Sequence, residues 1–217
     1  MARAPSSMSF GETRRALRLL HDELDACAAC PKMIGPVVHG PPVASPVLLL
    51  GQAPGPREGS FGRPFAWTAG RTMFRWFEDA LGVDEETFRA RVYIAAVARC
   101  FPGKASGGGD RRPDADEIAR CEKWLVREVT IVQPDLVVAV GTLAIERVLG
   151  AKMPLVDVVG GMRRARWHGR DVDVLPLPHP SGASPWPRVE PGKSLLSKAL
   201  GRLARHPAMR RALEAEA

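Results

Sequence analysis

A chain of 217 residues with 31 Lys and Arg against 24 Asp and Glu (net charge +7), 45% hydrophobic and 25% charged, has the make-up of one globular domain with a sizeable core. No apolar run approaches the ~18–20 residues that cross a bilayer, and the stretch Met1 to Ser7 has no apolar segment behind its single Arg, so neither a membrane partner nor a secretory leader is expected and a cytoplasmic location is. The basic balance favours a polyanionic partner through counterion release, although the abundance of Ala, Arg, Gly and Pro also reads as compositional bias, and the chain contains no Asn at all.

Residues 10–26 put Leu17, Leu20 and Leu24 at helical spacing and deliver the chain to Cys27, which predicts an amphipathic N-terminal helix. After the Pro/Gly-rich stretch 31–46, the run Val47-Leu48-Leu49-Leu50 predicts a buried strand. It passes directly into Gly51-Gln52-Ala53-Pro54-Gly55-Pro56-Arg57-Glu58, followed by Gly62-Arg63-Pro64-Phe65. A parallel sheet collects its ligand outside the carboxyl ends of its strands, where backbone N–H groups and loop side chains converge. Residues 51–65 are therefore the expected floor of a site.

Met73, Phe74, Phe77 and Leu81 predict a helix over 70–81. A second strand, Val92 to Ala98, ends at Cys100, and the segment 102–113 with its Gly107-Gly108-Gly109 is expected to be a flexible insertion. Asp114 can cap a helix running to about Val132. Asp135 to Val140 is a third strand, closed by Gly141 and followed by a helix at 142–149. Val172 to Leu177 is a fourth, leading into Pro178-His179-Pro180-Ser181, and residues 192–204 form the last helix. Strands alternating with helices imply a parallel sheet covered on both faces, in one domain spanning 1–217.

Four cysteines, at 27, 30, 100 and 121, in a chain expected to be cytoplasmic suggest a metal or iron–sulfur site rather than disulfides. Only Cys27-x-x-Cys30 has ligand-like spacing, and four thiolates suit zinc and an iron–sulfur cluster alike; the plainer alternative is that Cys100 and Cys121 are ordinary buried residues and Cys27 and Cys30 an incidental pair. His179 and Ser181 stand at the end of a strand, beside the 51–65 loop if both strands are central. Glu58 can polarise a water or be a solvated loop carboxylate. Phe65 can anchor the core or stack on a planar ligand.

Cys27-x-x-Cys30, the Gly51 to Glu58 loop, Gly62-Arg63-Pro64-Phe65, Cys100, Cys121 and His179-Pro180-Ser181, in that order, resemble the uracil-DNA glycosylase superfamily, most closely its iron–sulfur family 4. The match covers about residues 24–200. The resemblance implies a three-layer α/β/α fold with a central, mainly parallel four-stranded sheet and a structural four-iron four-sulfur cluster on Cys27, Cys30, Cys100 and Cys121, zinc being the alternative. It implies a monofunctional glycosylase acting as a monomer on DNA that contains deaminated bases. The base would be flipped into a pocket, stacked on Phe65 and held by the 51–55 loop (Gly51, Gln52, Ala53, Pro54, Gly55), with Ala96 and Ser181 nearby. His179 would stabilise the departing base anion, and Glu58 would orient the water and stabilise the positive sugar. Trp186 would be a minor-groove wedge or an inward-packed loop residue, and Arg188 and Lys193 phosphate contacts.

Two departures qualify this reading. Gln52 stands where family 4 has Glu, which removes a carboxylate. Ala96 stands where the family has an Asn that reads the uracil edge. An apolar wall discriminates weakly between bases, so relaxed selection extending to hypoxanthine or xanthine is expected. A catalytically silent iron–sulfur DNA-binding module of the same fold is the alternative.

Overall fold

The computed structural model describes residues 8–182 and 184–215. The chain runs through α1 (Phe10–Asp25), β1 (Val47–Gly51), α2 (Glu58–Phe61), α3 (Thr68–Leu81), α4 (Glu85–Arg91) and β2 (Tyr93–Ala96). It continues through α5 (Ala115–Val132), β3 (Leu136–Val140), α6 (Thr142–Leu149), α7 (Leu155–Val158), β4 (Arg163–Trp167) and β5 (Arg170–Leu177). After a 3-10 turn at Trp186–Arg188 come α8 (Gly192–Arg205) and α9 (Pro207–Glu214).

The strands form one sheet in the order β2-β1-β3-β5-β4. The first four are mutually parallel and β4 is antiparallel to β5. The central strands are buried along their whole length, as strands covered on both faces must be, and they accordingly read as continuous runs of Val and Leu. Helices α3, α4, α8 and α9 pack with one another, while α1 packs on α5 and α6 lies along β1, β3, β4 and β5. Helix on sheet on helix gives the three-layer architecture the sequence implies.

The sheet has five strands rather than the four expected. The additional one, β4, reads Arg-Arg-Ala-Arg-Trp and is mostly exposed. It lacks the apolar run of a buried strand, and its charges suit an edge, where they discourage pairing with another chain.

The two long helices of the Cys side begin where their caps dictate. Ser9 with Glu12, and Asp114 with Glu117, form capping boxes at α1 and α5, each satisfying two otherwise orphaned donors. The segment 102–113, expected to be flexible, folds as a hairpin. Lys104 and Asp110 pair as an antiparallel bridge, Arg111 N–H donates to Gly103 O at 2.8 Å, and the Arg111 guanidinium makes two 2.8 Å bonds to Glu117.

Candidate active site

Strand order places β1 between β2 and β3, so the chain leaves β1 in one direction and later crosses back past it. Such a reversal opens a crevice at the carboxyl ends of the strands. A cavity of about 160 Å³ lies there, lined by the loop from Gly51 to Glu58 except Gln52, by Phe65 and Trp67, by Ala96, and by Asp110, His179 and Ser181. Gly51 and Ala96 are register partners at the ends of β1 and β2. Val97 and Ala98 N–H groups then donate to Gly51 O and Gln52 O at 3.0 Å, which fixes the loop's departure from the sheet.

Phe65 is the most constrained residue of the site. Its φ of 56° is left-handed, a conformation most side chains avoid, and such outliers concentrate where a site must hold a group in place. The neighbours enforce it. Buried Arg89 donates to Pro64 O at 2.9 Å and Phe65 O at 3.0 Å, and a side chain at Gly70 would overlap the Phe65 carbonyl. A Cβ at Gly51 would stand 2.7 Å from the Phe65 ring, so only glycine lets that ring lie against the loop.

Glu58 is buried at 8% exposure. Its Oε2 accepts the Gly55 N–H, and burial raises its pKa, opposed by hydrogen bonds from the Gly55, Ala66 and Phe65 amides and assisted by the charge of Asp110. His179 opens to solvent at the cavity mouth and is walled by protein elsewhere. That surrounding protein lowers its pKa, with Asp110 the opposing charge, so the ring is neutral at pH 7. Ser181 N–H donates to His179 Nδ1 at 3.2 Å, which makes Nδ1 the acceptor and leaves the ring proton on Nε2. A neutral imidazole with a free N–H is a donor suited to an oxygen that gains negative charge.

The expected site residues are not all brought together. Gln52 does not line the cavity; its carbonyl serves Ala98. Trp186 is partly buried, with its ring and backbone against Gly192. Arg188 Nη2 donates to Gly182 O at 3.1 Å and Ser184 O at 3.4 Å, so it braces its own loop. Lys193 is exposed. Sequence reasoning missed Asp110, carried in by the hairpin, and Arg57 and Trp67, whose guanidinium and ring lie 4.6 Å apart at the cavity wall. No spacing rule singles out any of the three.

The four cysteines line a second cavity of about 400 Å³ together with Arg99 and Trp124. Burial, then the charges of Cys121, Cys27 and Cys30, push the Cys100 thiol up to about 11, so the four groups sense one another. Among the described residues no three His, Cys, Asp or Glu side chains stand close enough to share a single metal ion. Arg99, 1% exposed, has its Nε and Nη1 without a hydrogen-bond partner among the described residues, and so has Trp124 Nε1. An all-thiol donor set around this cavity, with buried N–H donors in its wall, suits an anionic thiolate-bound metal centre.

A family model described as the uracil DNA glycosylase superfamily matches residues 37–204. The chain is 29% identical over 141 residues to a Type-4 uracil-DNA glycosylase of Sulfurisphaera tokodaii, covering 63% of this chain and 60% of that protein. It is 28% identical over 175 residues to one of Saccharolobus solfataricus, covering 77% and 76%, and 28% identical over 168 residues to one of Thermotoga maritima, covering 76% and 81%. With the matched segment spanning every strand of the sheet and the whole lining of the cavity at its carboxyl edge, the chain belongs to the uracil-DNA glycosylase superfamily.

Proposed function

We propose that this protein is a monofunctional DNA repair glycosylase that flips uracil out of DNA and hydrolyses its N-glycosidic bond, leaving an abasic site. The observation that carries the reading is the convergence of the 51–58 loop, Phe65, Ala96 and a donor-ready His179 on one cavity at the strand ends. Phe65 stacks on the flipped base, and its fixed backbone means that little ordering is left to the moment of binding. Loop amides and Ser181 hold the polar edge of the base. As the C1′–N bond lengthens, electron density moves into the base, and His179 Nε2–H donates to its carbonyl oxygen. Glu58 lends its charge to the sugar as it becomes positive and, on its free lone pairs, helps to orient water.

Ala96 presents only a methyl group to the cavity at the end of β2, and with no amide at that position to read the base edge, hypoxanthine and xanthine are accepted beside uracil. Cys27, Cys30, Cys100 and Cys121 hold a four-iron four-sulfur cluster whose contribution is structural cross-linking. Lys193 contacts DNA phosphate, Arg188 stiffens the loop that faces DNA, and the protein acts as a cytoplasmic monomer, since one chain carries the whole site.

The test is base release from oligonucleotides containing uracil, hypoxanthine or xanthine, read as alkali-labile abasic sites, for the wild type, His179→Ala and Glu58→Ala. Release by the wild type and a loss of about 10²-fold or more in His179→Ala is expected. DNA binding without release of any base is the outcome a catalytically silent module gives, and it overturns the proposal.

A further inference from the structure

The 51–58 loop contains a single carboxylate, Glu58, with Gln52 in place of a second. Glu58 is poorly placed to take a proton from water. Its Oε2 is occupied by the Gly55 N–H, and further hydrogen bonds from Phe65 and Ala66 tie the group to the loop backbone. A carboxylate held this way orders the loop and offers few lone pairs to a substrate.

A second carboxylate reaches the same place from the glycine-rich hairpin. Asp110 lines the cavity with Glu58 and His179. A Cβ on Gly55 would lie 3.2 Å from Glu58 Oε2 and 3.5 Å from Asp110 Oδ2, so the two acids converge on Gly55. The placement of Asp110 is built. Lys104 Nζ donates to its Oδ1 at 2.6 Å, Lys104 and Asp110 pair across the hairpin, and the next residue, Arg111, is clamped to α5 through Glu117. Oδ1 is therefore restrained while Oδ2 stands on the loop side. With 41% of its side chain exposed, Asp110 keeps the solvent contact that Glu58 lacks.

We infer that Asp110 is the second catalytic carboxylate of this site, the group that takes the proton from the attacking water. The inference rests on the glycosylase reading above. The water oxygen forms a bond to C1′ as the C1′–N bond breaks, and that electron pair leaves with the base, whose carbonyl oxygen is held by His179. The water proton passes to Asp110 and on to solvent. The base anion is then protonated from solvent, and the sugar keeps the hydroxyl. Lys104 holds the acid in register between turnovers. The hairpin thus brings a second carboxylate to a loop that carries Gln at position 52.

Single-turnover release of uracil from a single-stranded oligonucleotide by the full chain tests this, comparing the wild type with Asp110→Asn and His179→Ala, with binding followed by fluorescence anisotropy. A general base contributes roughly 10²–10⁴-fold, so Asp110→Asn should slow release by ~10²-fold or more and leave binding within about twofold. Because the side chain is exposed, the substitution leaves the fold intact. Asp110→Asn acting at near wild-type rate while His179→Ala fails overturns the inference and leaves the glycosylase reading standing, as does a defect confined to binding. No release by the wild type overturns both.

Discussion

Arg89 shows how much of the site rests on a residue outside it. It is 4% exposed, donates to Pro64 O, Phe65 O and Glu85 Oε1, and lies 4.4 Å above the Phe74 ring. These contacts hold Phe65 in its left-handed conformation. Arg89→Met leaves the buried Pro64 carbonyl without its donor, costing about 1–3 kcal/mol, and frees the half-buried Phe65 carbonyl as well. The expected result is a lower melting temperature together with weaker binding of uracil-containing DNA. Ala96 governs selection instead. Ala96→Asn places an amide beside Gly51, and base release should then shift toward uracil, with the uracil-to-hypoxanthine rate ratio rising about tenfold or more, because a mismatched base leaves a buried amide unpaired.

At the scale of the elements, the helices and strands with strong periodicity were legible in the chain, and those held by context were not. Helix α5 begins at its Asp114 cap, and β1 and β3 follow from uninterrupted apolar runs. The edge strand β4 and the short helix α4 carry too few apolar residues to announce themselves, and α9, which buries Ala208, Met209 and Ala212, is only 8 residues long. The same holds at the site. Glu58, Phe65 and His179 sit in punctuated loops at strand ends, where a ligand is expected, whereas Asp110 arrives through a hairpin whose sequence reads only as flexible. Helix α1 hides a polar feature as well. Its His21 is 4% exposed and lies 3.0 Å from the Tyr93 hydroxyl, and burial, then His39 and Arg99, lower its pKa to about 3. The unfolded chain binds this proton near pH 6.5 and the folded chain only near pH 3, so stability is full above pH 6.5 and falls as pH drops through that window. Melting temperatures measured down this range should fall less steeply in His21→Gln.

In the whole molecule, a buried polar chain connects the Cys side to the sheet. Tyr93 OH donates to Glu128 Oε1 at 2.8 Å, and Arg99 Nη2 donates to Glu128 Oε2, while Arg99 also walls the cysteine cavity. Breaking one partner of such a pair costs roughly 3–5 kcal/mol. The proposed cluster adds a cross-link among the end of α1, the segment at Cys100 and helix α5. Cys100→Ala should lose bound iron and sulfide and the visible thiolate-to-iron absorbance, and should melt at a lower temperature, while retaining the sheet. Cys100 lies just past Ala96 at the carboxyl end of β2 and just before the hairpin that carries Asp110, so this cross-link would brace the segment that joins two residues of the cavity wall. Intact-mass spectrometry of a single-stranded uracil-containing oligonucleotide incubated with the purified protein addresses the chemistry of that cavity most directly. The expected product has exchanged uracil for a hydroxyl group with its backbone uncut, and free uracil appears in equal amount; an oligonucleotide bound by the protein but unchanged in mass contradicts a hydrolytic glycosylase.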